Sequence, residues 1–248
     1  MTIKPIRKNG HWVNEIKNFI VVIVIALVIR SFIFSIYYVP TGSMNDTIYN
    51  GDYIFATKYD YGLVLNIIHS TNKYFERSPK RGDIVILYMP QLKPNCYIKR
   101  IIGLPGDKIA IKSGVIFVNG IAFQQEFLGF KQDVVHLSQF KIIRETNIDK
   151  KSYIIKRSTN CDIYNCLNDI PQFTIPDRHF YAMGDNRDFS NDSRGTLGLI
   201  PSENIIAKAL FVFFSFNKTL FQTDYQEKAK NFIEWLASFE SERVIYLL

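Results

Sequence analysis

The 248-residue chain has little of what metal and redox sites are made from, with three cysteines and four histidines. No HExxH, no CxxC and no carboxylate cluster at ligand spacing occurs, which argues against a metal site, and no cofactor is implied. The histidines are also poorly placed as catalytic bases. His11 precedes an apolar run, His69 and His136 lie in polar stretches without pattern, and His179 stands in a turn before a strand-like segment. Acids are outnumbered, 23 against 30 Lys and Arg, but the cations are scattered and form no nucleic-acid motif. The excess of +7 is better matched to an anionic lipid surface than to nucleic acid. There is no repeat and no low-complexity tract, and 47% hydrophobic residues exclude a disordered chain.

One long apolar run is present. From Phe19 to Val39 the sequence FIVVIVIALVIRSFIFSIYYV is interrupted by Arg30 and two serines, and its length predicts a transmembrane helix over 19–39. It ends in Tyr37-Tyr38-Val39-Pro40 rather than in small residues, so an uncleaved anchor is expected rather than a removable leader. Lys4, Arg7, Lys8 and Lys17 precede the run against the single acid Glu15. Residues 1–18 are therefore expected in the cytoplasm and the large domain beyond the membrane, in single-pass topology. Arg30 is costly at roughly 3 kcal/mol if it lies at the bilayer centre, unless it snorkels outward.

After Pro40 the texture changes to short apolar runs broken by turns. Three turns share a Gly-Asp pair, Gly51-Asp52, Gly82-Asp83 and Gly106-Asp107, and strand-like segments follow at Tyr53–Thr57, Ile84–Met89 and Ile109–Ile111. Tyr97–Ile102 is another, and Asn119-Gly120 predicts a two-residue hairpin. The fold class expected is mainly β, with an antiparallel core in residues 40–108 and 176–248. Residues 109–175 read as a β-rich insert whose pattern weakens after 124. A helix is expected over Asp224–Phe239 from the spacing of Phe232, Leu236 and Phe239. Cys161 and Cys166 are candidates for a disulfide, with Cys96 reduced.

Three stretches could carry chemistry. In Pro40-Thr41-Gly42-Ser43-Met44, Pro40 favours an extended Val39 and Gly42 lets the backbone bend beside the hydroxyl of Ser43. In Tyr97-Ile98-Lys99-Arg100-Ile101-Ile102, alternation sends Lys99 and Arg100 to opposite faces. Either this is an edge strand with both charges in water, or one cation faces inward. Burial would make Lys99 a base, since moving a lysine from about 10.4 to 7 takes roughly 4.6 kcal/mol of differential destabilisation. The third stretch, Gly184 to Arg194, alternates acids with Arg187 and Arg194, as a paired, partly buried network would.

Together these stretches resemble the type I signal peptidases, membrane-bound serine proteases of the Ser-Lys type. The blocks are PTGSM, GDYIFATKYDYG, KRGDIVILYMP, YIKRIIGLPGDKI and GDNRDFSNDSRGTLGLIP, in family order. The resemblance implies Ser43 as nucleophile and Lys99 as general base, with Ser190 orienting the lysine and Thr41 supplying an oxyanion hydroxyl. It makes Asp185, Asn186, Arg187, Asp192 and Arg194 the supporting polar network, Asp192 and Arg194 as an ion pair. Tyr37, Val39, Pro40, Met44, Ile54, Ile86, Tyr97 and Ile98 match or neighbour positions lining shallow apolar substrate pockets. The implied partners are exported preproteins carrying signal peptides and membrane lipid, the implied location is the bacterial plasma membrane, and a monomer is expected. Three departures stand out. Asn45-Asp46 occupies a place where many members have proline, Phe189 replaces an asparagine, and Gly195-Thr196-Leu197 replaces a shorter aromatic turn. Two rival readings are a self-cleaving Ser-Lys regulator, which would need a DNA-binding domain where the apolar run stands, and a non-catalytic membrane-tethered protein.

Overall fold

The computed structural model describes residues 9–61, 63–64, 73–74, 77–92, 96–133, 138–160, 168–215 and 246–248. The expected helix over 224–239, the pair Cys161 and Cys166, and His69 and His136 lie outside the described residues, as does the side chain of Arg30. Cys96 is a free, exposed thiol.

Among the described residues one α-helix, α1, runs from Asn9 to Phe32, and seventeen strands follow: β1 Phe34–Tyr38, β2 Asp52–Thr57, β3 Leu63–Val64, β4 Lys73–Tyr74, β5 Ile84–Tyr88, β6 Cys96–Gly103, β7 Lys108–Lys112, β8 Val115–Val118, β9 Ile121–Ala122, β10 Gln124–Asp133, β11 Ser138–Thr146, β12 Ser152–Ser158, β13 Ile170–Thr174, β14 His179–Met183, β15 Ile200–Pro201, β16 Ile205–Ser215 and β17 Tyr246–Leu247.

The helix differs from the expected span at both ends. It begins in polar sequence at Asn9, and the end of the apolar run, Phe34–Tyr38, leaves it to pair antiparallel with β2. The cause is composition, since aromatic and β-branched residues from Ile33 onward find a sheet edge to complete. The apolar part of the helix, Phe19 to Phe32, therefore rises only about 21 Å at about 1.5 Å per residue, short of a hydrocarbon core of about 30 Å. Among the described residues no helix is long and apolar enough to cross a membrane. Its side chains are nonetheless exposed from Trp12, at 74%, through Phe19 to Leu27.

The three Gly-Asp turns are one device used three times. Gly51, Gly82 and Gly106 hold φ between 85° and 102°, where a Cβ is unfavourable. The following aspartate N–H donates to the carbonyl three residues back, Asp52 to Tyr49, Asp83 to Lys80 and Asp107 to Leu104. Each aspartate Oδ2 in return accepts the N–H of that same residue, at 2.8, 3.0 and 2.7 Å. Both halves of the bond lie within four residues, so each turn is specified locally and aims the next strand.

The main sheet is antiparallel, in the order β1-β2-β16-β5-β6-β14-β15, with β17 beside β16. The insert consists of two further sheets, β13-β7-β8-β9 and the ribbon β10-β11-β12. It leaves and returns at one point, where Gly106 N–H donates to Ile175 O and Ile175 N–H donates to Asp107 O, each at 2.9 Å. The hairpin at Asn119-Gly120 is present, both residues at positive φ. Where the alternation weakens after 124, β10, β11 and β12 form a long ribbon, with the polar residues of β10 mostly exposed and Glu145 and Lys156 of β11 and β12 buried. The insert shares its core with the main sheet. Ile109, Ile116, Ile143 and Ile155 pack in one cluster with Ile102, Tyr181 and Met183.

Candidate active site

Ser43 stands in the turn after β1. Val39 is pinned on both sides, its N–H donating to Asp52 O at 2.9 Å and its carbonyl accepting from Gly51 N–H at 3.0 Å. The backbone then coils, Asn45 N–H to Gly42 O at 3.1 Å and Ile48 N–H to Met44 O at 2.8 Å. Met44 and Ile48 fix this coil, because both are buried with Val39, Ile54, Ala56, Ile84, Ile86, Ala207 and Ala209. Ser43, between Gly42 and Met44, is left half-buried on the outer side.

Lys99 lies on β6, a central strand between β5 and β14. Its Nζ donates to Ser43 Oγ at 2.7 Å and to Ile98 O at 3.0 Å. Lys99 is 2% exposed and makes no ion pair among the described residues. Burial pulls its pKa down to about 8 from 10.5. The charges of Asp192 and Asp185 pull the other way, and that of Arg194 adds to the lowering. Arg100, next to it, is 5% exposed and on the opposite face. Of the two sequence alternatives, the inward-facing one is too small, since both cations are inside. The physical reason is that both faces of β6 are covered. Ile101 packs with Val85, Leu87 and Phe180 on one side, and Ile102 packs against the insert on the other.

Arg100 meets its counter-charge. Its Nε donates to Asp185 Oδ1 at 2.8 Å and its Nη2 to Asp185 Oδ2 at 2.6 Å, a bidentate pair. Its Nη1 donates to Gly82 O at 2.9 Å, and its guanidinium lies 4.1 Å over the Tyr153 ring. Thr47, in the turn that follows β1, donates to Asp185 Oδ2 at 2.6 Å. Asn186 holds the same turn from the other side, its N–H donating to Ser43 O at 3.1 Å and its Nδ2 to Gly42 O at 2.9 Å. Arg187 reaches the insert, where both terminal nitrogens donate to Glu145, which also accepts from Tyr153 and Gln125, each at 3.1 Å. Asp192 accepts from Arg194 Nε at 2.9 Å and Nη2 at 2.8 Å and from Gly184 N–H at 3.1 Å. The arginine and the Gly184 amide hold its carboxyl below the usual range against the upward push of burial.

The remaining candidates are distributed as follows. Thr41 and Pro40 are exposed in the turn. Val39, Met44, Ile54 and Ile86 are buried in the cluster beneath Ser43, with Tyr37 and Ile98 packed partly against it. Tyr97 does not share that wall. Alternation sends it to the other side, against Leu87 and Ile101, with its ring 5.9 Å from Lys99 Nζ. Ser190 Oγ is buried and makes no hydrogen bond, to Lys99 or to any other described residue. It flanks Gly184, where a Cβ would lie 2.3 Å from Ser190 Oγ and 2.4 Å from Ser43 O.

Sequence reasoning missed Arg100 as a partner of Asp185, and also Thr47, Glu145, Tyr153 and Gly184. Only Arg100 carried a signal, its place beside Lys99 on a strand. Glu145 and Tyr153 sit in strands with ordinary polar composition. His179 accounts for itself locally, Nδ1 lying 2.9 Å from Asp177 O.

Comparison with known proteins bears on this geometry. The sequence model of a family described as signal peptidase, peptidase S26, matches residues 12–214. A signal peptidase I of Rickettsia prowazekii (strain Madrid E) is 39% identical over 228 residues, covering 88% of this chain and 86% of the relative. One of Rickettsia bellii (strain OSU 85-389) is 38% identical over 225 residues, covering 87% and 78%. A crystal structure of a signal peptidase I from Enterococcus faecalis V583 aligns with 53% of this chain and 97% of its own at 19% identity and a TM-score of 0.30. On the extent of the family match and the identity to these relatives, the chain belongs to the signal peptidase family, peptidase S26, and is a serine endopeptidase.

Proposed function

We propose that the protein removes signal peptides from exported preproteins by a Ser-Lys mechanism, with Ser43 as nucleophile and Lys99 as general base. The observation that carries this reading is the 2.7 Å contact between Lys99 Nζ and Ser43 Oγ, made by a buried lysine with no ion pair among the described residues and shifted to a pKa of about 8. A neutral Lys99 accepts the Ser43 hydroxyl proton as Oγ attacks the carbonyl carbon of the scissile bond. The oxyanion is held by the Ser43 N–H and the Thr41 hydroxyl. Collapse of the tetrahedral intermediate breaks the C–N bond, the departing amine takes the proton from Lys99, and an acyl-enzyme remains. Lys99 then takes a proton from water as its oxygen attacks the ester carbonyl carbon. Collapse breaks the acyl C–Oγ bond, releases the new carboxyl terminus and returns the proton from Lys99 to Ser43 Oγ. Asp185, Asn186, Arg187, Asp192 and Arg194 hold the two chain segments in register, and Ser190 supplies a hydroxyl beside them.

The substrate strand lies along the turn after β1, over the wall of Val39, Ile54, Ile86 and Ile98. A shallow, close-packed wall accepts alanine-sized side chains before the cut and excludes leucine or phenylalanine. Anchoring to the membrane is through α1, whose apolar side chains from Phe19 to Leu27 are exposed. The test is to incubate purified protein with one preprotein and map the cut. Cleavage after a small residue at the end of the signal peptide, abolished in Ser43→Ala and Lys99→Ala, is expected. Cleavage retained by Ser43→Ala would sink the mechanism.

A further inference from the structure

Asp46 has no role in the mechanism above, yet it is the most unusual residue of the nucleophile turn. Its φ is +77°, a left-handed conformation that non-glycine residues rarely adopt. Its carboxylate, 8% exposed at the side chain, is held by two groups. Asp46 Oδ1 accepts from Lys131 Nζ at 2.5 Å and from Tyr49 OH at 3.1 Å. Lys131 Nζ also reaches Tyr49 OH at 3.3 Å and lies 5.6 Å from the Tyr49 ring centroid.

Lys131 belongs to β10, the outer strand of the insert ribbon, 85 residues away in sequence. The next strands of that ribbon, β11 and β12, carry Glu145 and Tyr153, which hold Arg187 and lie against Arg100. One ribbon thus grips the site twice, once on the side of the lysine strand and once on the nucleophile turn. Only the second grip reaches the residues immediately after Ser43.

Resting on the mechanism proposed above, we propose that Lys131 and Asp46 are positioning residues for Ser43. The ion pair from the insert holds Asp46 in its left-handed conformation and so sets the distance of Ser43 Oγ from Lys99.

The test combines two readouts, cleavage kinetics on a short peptide substrate and the rate at which a small serine-reactive acylating inhibitor labels Ser43. Lys131→Met is expected to lower kcat about 3- to 10-fold with KM unchanged within about 2-fold, and to slow Ser43 acylation by the same factor. Lys131→Arg, which keeps the charge, is expected to recover most of both rates. Asp46→Asn should match Lys131→Met, and the double variant should be no slower than either single one, because they remove one interaction. Asp46→Pro should be slower than Asp46→Asn, since proline cannot reach φ +77°. Thermal unfolding confirms that each variant is folded. Wild-type acylation in folded Lys131→Met, additive losses in the double variant, or an Asp46→Pro enzyme as fast as wild type would each overturn the proposal. Ser43→Ala and Lys99→Ala run in parallel separate the two levels. If they are inactive while Lys131→Met is wild type, the positioning role alone fails, and if they remain active the mechanism itself fails.

Discussion

Lys99 and Arg100 are neighbours on one strand, both cationic and both buried, and the protein treats them in opposite ways. Lys99 meets a serine hydroxyl and a backbone carbonyl, and the nearest carboxylates, Asp185 and Asp192, are bonded to other groups. Arg100 meets Asp185 in a bidentate pair, a backbone carbonyl and an aromatic ring. Desolvation acts on both, and beyond the higher intrinsic pKa of a guanidinium the difference is a directly bonded counter-charge, which Arg100 has and Lys99 lacks among the described residues. Without one, the lysine pKa falls to about 8. With one, the arginine pKa rises even though burial opposes it. Burial alone does not make a base; burial with the counter-charge withheld does. Asp185 is what divides the two, being spent on Arg100 and Thr47 rather than on Lys99.

The largest expected effect is on chemistry at Lys99. Lys99→Arg keeps the charge but cannot deprotonate near neutrality, and a loss of about 10⁴-fold in kcat is expected, at the upper end for general base catalysis. Peptide cleavage measured on a variant with wild-type circular dichroism checks it, and near wild-type turnover would break the contrast. Next in size is Arg100→Met, which leaves Asp185 buried without its partner. A destabilisation of about 3–5 kcal/mol is expected in urea unfolding. A loss under about 1 kcal/mol would mean that Thr47 alone satisfies the carboxylate.

Lys99→Met should do the reverse for stability. In the wild-type fold the lysine pKa is about 8 against 10.5 when free. Between these values the unfolded chain binds more protons than the folded one, so wild-type stability rises with pH across that window. Below pH 8 the folded protein bears the full cost of a buried ammonium. Lys99→Met is therefore expected to be more stable than wild type by up to about 3 kcal/mol at pH 7, an excess that vanishes above roughly pH 10.5. A constant difference across pH would show that Lys99 is not depressed. Activity reports the same group, and kcat/KM should climb about tenfold per pH unit below 8 and level off above it. The smallest of these effects concerns packing beside the pair. Gly184→Ala would press a methyl group against Ser190 Oγ and Ser43 O, and a loss of about 10-fold in kcat with little change in KM is expected.

Much of the fold could be read from the chain because its signals are short. The strand segments at 53–57, 84–89, 97–102 and 109–111 coincide to within a residue at each end with β2, β5, β6 and β7, since alternation and flanking turns act over a few residues. The helix boundary was misjudged because Phe34–Tyr38 is as apolar as the residues before it. What moves it into the sheet is β2, which lies more than ten residues on. The ribbon β10-β11-β12 was the least legible part, because its inward polar residues, Glu145 among them, look solvent-facing until Arg187 is placed against them.

The sequence by itself determined the turns and the candidate residues of the site. A Gly-Asp turn closes its hydrogen bonds within four residues, and Ser43, Lys99 and the stretch from Gly184 to Arg194 each stand in a local pattern of recognisable kind. Tertiary structure alone decided which of these groups would meet and which would be left without a counter-charge. Lys99 is 56 residues from Ser43, Arg187 is 42 from Glu145, and Arg100 from Asp185 and Lys131 from Asp46 are each separated by 85. Contacts at such separations are set by the register of β5, β6, β14 and the insert ribbon. A pKa depends on what fills the few ångströms around a charge, which a sequence pattern of period two does not specify.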